Sequence, residues 1–507
     1  MKHGMKRRST FLAAAMILAA SLSACSGNSG QSNVDKEPSV NAKKAESNEE
    51  IVKLKVWGFG YNSTSEDMAL VSEAASKITR EKLGVEVEIV RSSDKEKLNL
   101  AMNSGEPWDL VCYHNFSGGL ATLVNNGMAM PIDDLAEEYG KDAVEIVGEK
   151  MMNAGKVNGV LYSIPSIDVW ANSYGMAIRS DILEELNIDP ETLKTWDDLH
   201  DAFVKMKEAY PDRYPVVAAW PAGGMQKTFA WDNLGTGFWD ALGILKNCHD
   251  SSTTVVNMYE TDEYRELCEM MYQWNQEGLL MPDATTTTEV TKDLLKTVGF
   301  AAFDNITPVK KQEIASGKYW KDFKGVGVAV VDPFITSDAG GSSYFIPTVC
   351  EHPEKAMQLW NLMYTDKELA DIISYGIEGR DFEYTDENRD EVRINQSSTY
   401  GSILWSWPNQ TIASASEGVD KNIWAVNKEF RDSASISPAL GFKFDSSGVM
   451  NEITACNNVI AKYEPGLRWG ELDPSEALPK FNEELYAAGL QTIIDAKQQQ
   501  LDEFLSK

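Results

Sequence analysis

The 507-residue chain is poor in cysteine, histidine and basic residues, and each shortage excludes a class of protein. Its six cysteines are widely spaced and do not predict a disulfide framework. Its five histidines lack the spacing of a zinc motif, so we expect no metal. With 47 Lys and Arg against 77 Asp and Glu, the net charge of −30 repels phosphate backbones, which excludes nucleic acid as a partner. The phosphate-binding loops GxxxxGK[ST] and GxGxxG are also missing, so the chain is not a transport ATPase.

Long apolar runs are missing as well. The run over 11–22 follows Lys2, Lys6, Arg7 and Arg8 and is shorter than the roughly 20 residues that a bilayer requires. This pattern predicts a secretory signal peptide over 1–24 that is removed from the mature protein. Losing its four basic residues leaves 43 Lys and Arg against 77 Asp and Glu, a net charge of −34.

The leader ends in LSAC (22–25), which resembles the lipobox of bacterial lipoproteins. The resemblance implies that Cys25 carries a diacylglyceryl lipid and begins the mature chain; the alternative is ordinary cleavage with Cys25 incidental. Residues 26–50 contain no aromatic residue, Leu, Ile or Met, so the segment after the lipidated cysteine is predicted to be a disordered tether. We therefore expect a protein on the extracellular face of the cell membrane, held there by its lipid alone.

Strands alternate with helices from residue 51 onward. The segments 51–60, 85–90 and 108–115 have strand patterns, and helices are predicted between them at about 66–83 and 95–104. This order predicts parallel strands with crossover helices, and ligands of such sheets bind at the carboxyl ends of the strands. The later pattern predicts helices at 195–211, 263–280 and 354–376, and strands at 298–305, 325–334 and 342–350.

Several short motifs, in this order and spacing, resemble the extracellular solute-binding proteins of ABC importers, family 1, which take up oligosaccharides. They are WGFG (57–60), GEPWDLV (105–111), NGMAMPIDDL (126–135), NGVLYSIP (158–165), IRSDILEELNID (178–189) and VGFAAFDN (298–305). The segment from Gly441, which begins GFKFDSSGVMNEITACNN, resembles the DUF3502 domain found at the C-terminus of such lipoproteins, mainly in Gram-positive Firmicutes. YGIEGRDFEY (375–384) is also similar to a stretch of these proteins.

The resemblance implies an α/β fold of the two-lobed, type II periplasmic-binding-protein kind, with a hinge and a small C-terminal domain. We expect lobe 1 to comprise 51–165 with about 300–345, and lobe 2 to comprise 166–299 with about 346–440. The C-terminal domain is expected over 441–507. The implied function is capture of an oligosaccharide in the cleft between the lobes and its delivery to the permease of an ABC importer. We expect a monomer with no catalytic residue and no cofactor apart from the lipid on Cys25.

Sugars present apolar C–H faces and rings of hydroxyl groups, so their sites combine aromatic side chains with hydrogen-bonding polar ones. Aromatic and polar residues on predicted loops near strand ends, crossings and the expected hinge are therefore the candidate ligand-binding residues. They are Trp57, Phe59, Tyr113, Asn115, Asp168, Trp170, Asn172, Trp220, Trp231, Glu378, Arg380, Trp405 and Trp407.

Other interpretations stay open on the sequence alone. Any of these tryptophans can belong to the core, which is what helical spacing predicts for Trp196, Trp274 and Trp360. Glu378 and Arg380 fit a structural ion pair as well as a binding role. A surface glycoside hydrolase needs two carboxyl groups about 5–9 Å apart, and so acidic a chain offers many pairs. A receptor for peptides or another polar solute is the third alternative.

Trp405 and Trp407 provide a test of the sugar-receptor interpretation. On the sequence alone, Trp405→Ala and Trp407→Ala are expected to weaken sugar binding and leave the fold intact, because each removes an aromatic platform from an extended segment. Oligosaccharide titration checks affinity, and circular dichroism checks the fold. Unchanged affinity in both variants would remove this segment from the site.

Overall fold

The computed structural model describes most of the chain after residue 50. The described residues are 51–60, 63–114, 119–167, 170–219, 227–235, 240–317, 320, 322–339, 342–401 and 404–506. The predicted signal peptide and tether lie outside them. Residues Glu50–Lys507 belong to one compact unit.

The strands of the described residues are numbered in chain order. They are β1 (Val52–Gly58), β2 (Val85–Arg91), β3 (Leu110–His114), β4 (Lys156–Val157), β5 (Val160–Leu161), β6 (Ala171–Asn172), β7 (Tyr174–Arg179), β8 (Tyr214–Val216), β9 (Ile244–Leu245), β10 (Val255–Val256), β11 (Gly299–Asn305), β12 (Gly325–Ala329), β13 (Phe334–Ile335), β14 (Ser342–Phe345), β15 (Phe382–Tyr384), β16 (Glu391–Ile394), β17 (Ala415–Ser416) and β18 (Ser435–Ile436).

The α-helices are numbered in the same way. They are α1 (Ser65–Leu83), α2 (Lys95–Asn103), α3 (Gly119–Asn125), α4 (Asp133–Tyr139), α5 (Lys141–Val147), α6 (Glu149–Met152), α7 (Ser180–Glu185), α8 (Trp196–Ala209), α9 (Asp262–Gln276), α10 (Thr291–Thr297), α11 (Pro308–Ser316), α12 (Pro353–Thr365), α13 (Lys367–Tyr375), α14 (Ile423–Ser433), α15 (Met450–Arg468), α16 (Pro474–Ala487) and α17 (Leu490–Leu505).

Lobe 1 is built on a four-stranded sheet in the order β14-β3-β1-β2. β1 pairs in parallel with β2 and with β3, which confirms the predicted crossover arrangement of the first three strands. The central position of β1 makes the gap between the carboxyl ends of β1 and β3 a topological switch point, where open α/β sheets bind ligands. The core between this sheet and α1, α12 and α13 includes Leu54, Val71, Leu110 and Trp360.

Lobe 2 is built on a second four-stranded sheet in the order β12-β7-β11-β8. β7 pairs antiparallel with both β11 and β12, and β8 runs parallel to β11. Its core includes Ile178, Phe203, Trp274 and Phe300. Trp274 and Trp360 are thus buried in the two cores, as predicted, and Trp196 is partly buried against the second.

A three-stranded sheet of order β18-β13-β6 joins the lobes and is the hinge sheet of the structure. β6 leads from lobe 1 into β7, β13 leads from β12 back to β14, and β18 leads from α14 toward the C-terminal helices. Phe334 and Ile335 are adjacent in β13 and point to opposite faces. Phe334 packs with Tyr174 and Cys248, whereas Ile335 belongs to the lobe 1 core.

The later segments are divided between the lobes differently from the prediction. Within the predicted 300–345 block, β11 and β12 hydrogen-bond in the lobe 2 sheet, and only β14 joins lobe 1. Most of the predicted 346–440 block packs on lobe 1, because α12 and α13 cover the lobe 1 sheet and α1. Its last helix, α14, contacts α11 of lobe 2. The physical reason is that an apolar strand pattern does not reveal which partner strand, and therefore which sheet, a late strand joins.

The helix predicted over 354–376 is two helices. Asp366 ends α12, and its side chain accepts the backbone N–H of Leu369 at 2.8 Å to cap α13. Lys82 of α1 also pairs with Asp366. An aspartate within an apolar periodic pattern therefore marks a helix boundary that the period alone did not predict.

The three C-terminal helices, α15 to α17, share their core with lobe 2. Leu467, Phe481, Ile493 and Leu501 belong to the same hydrophobic cluster as Ile178. α15 and α16 contact α9, and α17 contacts β10. The C-terminal domain is therefore an extension of lobe 2 in its packing.

The GIEGRD segment (376–381) folds as a turn that only glycine allows at its first position. Gly376 has φ +95°, and an added Cβ would lie 2.4 Å from Oδ2 of the buried Asp381. We expect Gly376→Ala to lower the free energy of unfolding by about 1–3 kcal/mol, since both the backbone and Asp381 must shift. Urea denaturation measures the change.

Gly448→Ala is the matched control, because its added Cβ meets no atom within 4 Å and its φ is not positive. Equal stability of the two variants would contradict the prediction.

Candidate functional site

The lobe 1 side of the site is the switch point between β1 and β3. Phe59 follows β1, and its ring meets the ring of His114 at the end of β3 edge-on, with centroids 4.2 Å apart. Burial lowers the pKa of His114 to about 3, so its imidazole is neutral at physiological pH. The switch point therefore carries two aromatic rings, Phe59 and the neutral His114.

Trp57 and Tyr113 lie at the same sheet edge but pack on the other face. Trp57 meets Trp108 edge-on with centroids 5.2 Å apart, and Tyr113 lies against Phe345. The Tyr113 hydroxyl donates to Oγ of Ser163 at 3.3 Å. Both predicted residues are buried in this structure, so they support the sheet from within the protein.

The first crossing between the lobes carries three buried polar atoms that have no hydrogen-bond partner among the described residues. They are Oγ of Ser166, Nε1 of Trp170 and the hydroxyl of Tyr174, whose residues are 1%, 5% and 8% exposed. Buried polar groups are nearly always hydrogen-bonded, so such a group requires an explanation. Three of them within nine residues mark this crossing as a candidate ligand site.

Two asparagine side chains join the crossing to the lobe 2 sheet. Nδ2 of Asn305, at the end of β11, donates to Oδ1 of Asn172 at 2.9 Å, and Nδ2 of Asn172 donates to the Trp170 carbonyl at 3.4 Å. Oδ1 of Asn305 accepts the backbone N–H of Ser173 at 3.2 Å. Both asparagines are partly exposed. The side chain of the predicted Asn172 can therefore form further hydrogen bonds at the hinge, beside Trp170.

Lys227 is a buried cation on the lobe 2 side that the sequence analysis did not select. Its Nζ lies 4.3 Å from the ring centroid of Trp231 and 5.6 Å from that of Tyr174. Burial lowers the pKa of Lys227 to about 8. The predicted Trp231 is itself buried in the lobe 2 core. Its ring lies near Lys227, whose Nζ also lies near the Tyr174 ring at the crossing. A lysine followed closely by two aromatic residues, Phe229 and Trp231, was the available signal.

Glu378 and Arg380 do not meet each other or the crossing. Arg380 pairs with Asp67 at 2.8 Å and with Asp381 at 2.7 Å, while Glu378 pairs with Arg389 at 2.7 Å. These contacts fasten the β15–β17 sheet to the start of α1. The geometry corresponds to the alternative of structural ion pairs, with different partners from the predicted pair.

Trp407 is 4% exposed and belongs to the lobe 1 core. It borders a cavity of about 30 Å³ with Arg91, Tyr344 and Met363, which has room for about two water molecules and is too small for a sugar ring. The predicted Asn115, Asp168 and Trp220 lie outside the described residues, as does the side chain of Trp405. The structure thus brings Trp170 and Asn172 together, with Trp231 nearby, and places Trp57, Phe59, Tyr113 and Trp407 inside lobe 1.

Two searches of the described residues bear on other kinds of site. No group of three or more His, Cys, Asp or Glu side chains among them is arranged to hold a metal ion. Within the same part of the chain, none of the helices has the length and apolar character needed to cross a membrane. The five cysteines after Cys25 are unpaired.

Two α/β lobes joined by three crossings, with unpartnered polar groups at the first of them, define a two-lobed ligand-binding protein. Residues 62–370, more than half of the chain, match the bacterial extracellular solute-binding protein family, and the chain belongs to that family. It is therefore a binding protein and not an enzyme. Residues 438–506 match DUF3502, a domain of unknown function, as predicted for the segment from Gly441.

Relatives of known fold support the architecture. A carbohydrate ABC transporter substrate-binding protein of Streptococcus pneumoniae serotype 4 (strain ATCC BAA-334 / TIGR4) is 25% identical over 505 residues, which is 97% of each chain. The crystal structure of the N-glycan transport solute binding protein NgtS from S. pneumoniae is 22% identical and aligns with a TM-score of 0.79 over 90% of this chain and 99% of that one. A human-milk-oligosaccharide (HMO) binding protein from Bifidobacterium longum infantis is 15% identical, with a TM-score of 0.63 over 90% and 99%.

The burial of Trp407 changes the outcome expected for its alanine variant. Removing a buried tryptophan leaves a cavity, so Trp407→Ala is expected to lower the free energy of unfolding by about 3–5 kcal/mol. Thermal and urea denaturation measure this loss. The control is Val426→Ala on α14, since that side chain is largely exposed. If Trp407→Ala were as stable as the unmodified protein, the core role would be contradicted. The sequence-based expectation that this variant keeps its fold and loses sugar affinity would then stand.

Proposed function

We propose that this chain is the receptor of an ABC importer that binds an oligosaccharide at the crossing between its lobes and delivers it to the permease. The observation that carries the proposal is the set of unpartnered polar atoms of Ser166, Trp170 and Tyr174. A hydroxyl-rich ligand supplies both donors and acceptors to such atoms. Closure of the lobes over the ligand is a hinge motion in which no bond is made or broken.

The chemistry of the relatives supports a glycan as the solute. The S. pneumoniae relative is named for carbohydrate transport, and NgtS was crystallised with Man1GlcNAc and with Man5GlcNAc. We infer that mannose- and N-acetylglucosamine-containing oligosaccharides are the first ligands to test. The acetamido group of such a sugar accepts and donates hydrogen bonds, which suits Asn172 and Asn305 at the hinge.

The membrane attachment is also proposed. The motif LSAC supports removal of residues 1–24 and attachment of a diacylglyceryl lipid to Cys25, with a further acyl group such as palmitate. Two or more acyl chains anchor a protein stably, whereas one does so only marginally. Residues 26–50 then tether a monomeric receptor, without a cofactor, to the outer face of a Gram-positive type of cell membrane, where the permease lies.

A titration tests the proposed ligand class. A soluble form beginning at residue 26 is titrated with Man5GlcNAc, Man1GlcNAc, milk oligosaccharides, mannose and a mixed peptide pool, and tryptophan fluorescence is recorded. We expect saturable binding of one glycan, which mass spectrometry recovers intact. A response to peptides without a response to any sugar would overturn the choice of solute.

A pair of variants tests the location of the site. Trp170→Phe keeps an aromatic ring and removes the unpartnered N–H, so we expect glycan affinity to fall about tenfold, as for the loss of one hydrogen bond. Trp469→Phe makes the same change at another buried, unpartnered indole, in the core of lobe 2. Its affinity is expected to equal that of the unmodified protein. Equal affinities for both variants would exclude Trp170 from the site.

A further inference from the structure

The C-terminal domain inserts a fully buried lysine into lobe 2. Lys497 lies on α17, and its side chain has no exposed surface. Its Nζ donates to the Gly243 carbonyl at 2.9 Å and to the Asn233 carbonyl at 3.3 Å, and it pairs with Oδ2 of Asp240 at 3.2 Å. A single ammonium group therefore contacts lobe 2 at three places.

These three acceptors lie in the described residues 232–235 and 240–243 of lobe 2, which together are called the lobe 2 segment. Asn233 lies in its first part, and Asp240 and Gly243 lie in its second part. The Asp240 side chain also accepts the backbone N–H of Leu242 at 2.8 Å, so its carboxylate is held on both sides. One ammonium group on α17 therefore holds both parts of the lobe 2 segment.

The beginning of the same segment is attached to the hinge. The buried Asp232 carboxylate accepts the backbone N–H of Ser337 at 2.6 Å and the Ser337 hydroxyl at 2.7 Å. Ser337 stands two residues after β13 of the hinge sheet. The backbone N–H of Gly441, where the C-terminal domain begins, donates to the Ser337 carbonyl at 2.9 Å. The hinge, the segment and the C-terminal domain thus form one hydrogen-bonded network.

A second buried ion pair connects the same parts. Lys443 of the C-terminal domain pairs with Asp338, the residue after Ser337, and both side chains are largely buried. Burying charges is expensive, and an apolar residue often replaces a buried ion pair without loss of stability. Two such pairs, one from the C-terminal domain to lobe 2 and one from it to the residues after β13, are therefore better explained by a need for position than by a need for stability.

We propose that the C-terminal domain positions the lobe 2 segment (232–235 and 240–243) against the hinge, with Lys497 as the positioning residue, and that glycan affinity depends on this support. The proposal deepens the proposed function and rests on it for its second half. The segment adjoins Trp231, which contacts Lys227 beside Tyr174 of the crossing. A displaced segment therefore moves the lobe 2 wall of the proposed site.

The test compares Lys497→Met with Leu501→Ala in the full mature chain. Leu501 lies one turn further along α17 and is buried in the lobe 2 core, so its variant destabilises the same helix without removing the ammonium contacts. Hydrogen exchange of peptides covering 232–245 is measured at a temperature where circular dichroism shows both variants folded. Affinity for the glycan that the unmodified protein binds is measured in parallel.

We expect Lys497→Met to accelerate exchange in this segment at least about tenfold and to weaken glycan binding by about tenfold. Leu501→Ala is expected to lower the unfolding temperature and leave both readouts near those of the unmodified protein. Equal effects of the two variants, or unchanged exchange in Lys497→Met, would overturn the proposal. Faster exchange with unchanged affinity would overturn its second half.

Two further arms keep the test decisive. If Lys497→Met does not fold, Asp240→Asn removes one charge of the buried pair at nearly constant volume and is expected to produce the same two changes, with their absence counting against the proposal. If the unmodified protein binds no glycan, the proposed function fails. Hydrogen exchange then decides the positioning role without reference to a ligand.

Discussion

Three crossings only two residues long carry the chain between its lobes, and the rest of the structure depends on their pairing. β6, β13 and β18 satisfy one another's backbone groups where neither large sheet reaches them. Alternation along β13 then gives each lobe one apolar side chain of the hinge, Phe334 on one side and Ile335 on the other. A rotation between the lobes is absorbed by these short strands, while both hydrophobic cores stay intact.

Charge is used sparingly inside this acidic protein, and several ion pairs attach one part of the chain to another. Arg380 connects the β15–β17 sheet to Asp67 of α1, and Lys82 of α1 pairs with Asp366 between α12 and α13. Lys497 and Lys443 connect the C-terminal helices to lobe 2 and the hinge. Partly exposed cations thus attach the outer layer of lobe 1, and buried cations attach the C-terminal layer of lobe 2, in a chain that has few basic residues.

The local pattern of the sequence was enough to predict the first sheet, and the motifs were enough to predict the family. Strands such as β1 and β2 alternate clearly, and the helix between them begins at a capping box formed by Thr64 and Asp67. What the pattern lacked was long-range pairing. β11 and β14 have similar apolar sequences, yet one pairs with β7 and the other with β3.

The candidate site was harder to predict for a related reason. The sequence analysis selected aromatic residues near strand ends, and in the structure they differ in what they pack against. Trp57, Trp170 and Trp407 are all buried in lobe 1 clusters, and Trp170 is set apart by its place at the crossing, where polar atoms of Ser166 and Tyr174 also lack a partner among the described residues. Lys227 became recognisable only when the fold placed Trp231 and Tyr174 around it. The ligand-binding roles of the selected residues remain predictions.

Late segments of the chain pack on early ones, and this constrains how the protein folds. β14 completes the first sheet by pairing with β3, after the strands β7, β8, β11 and β12 of the other sheet have already appeared in the chain. The core of that other sheet closes only with Leu501 on the last helix. Neither lobe can therefore complete its fold from the N-terminal part of the chain alone. Such non-local contacts make folding slow.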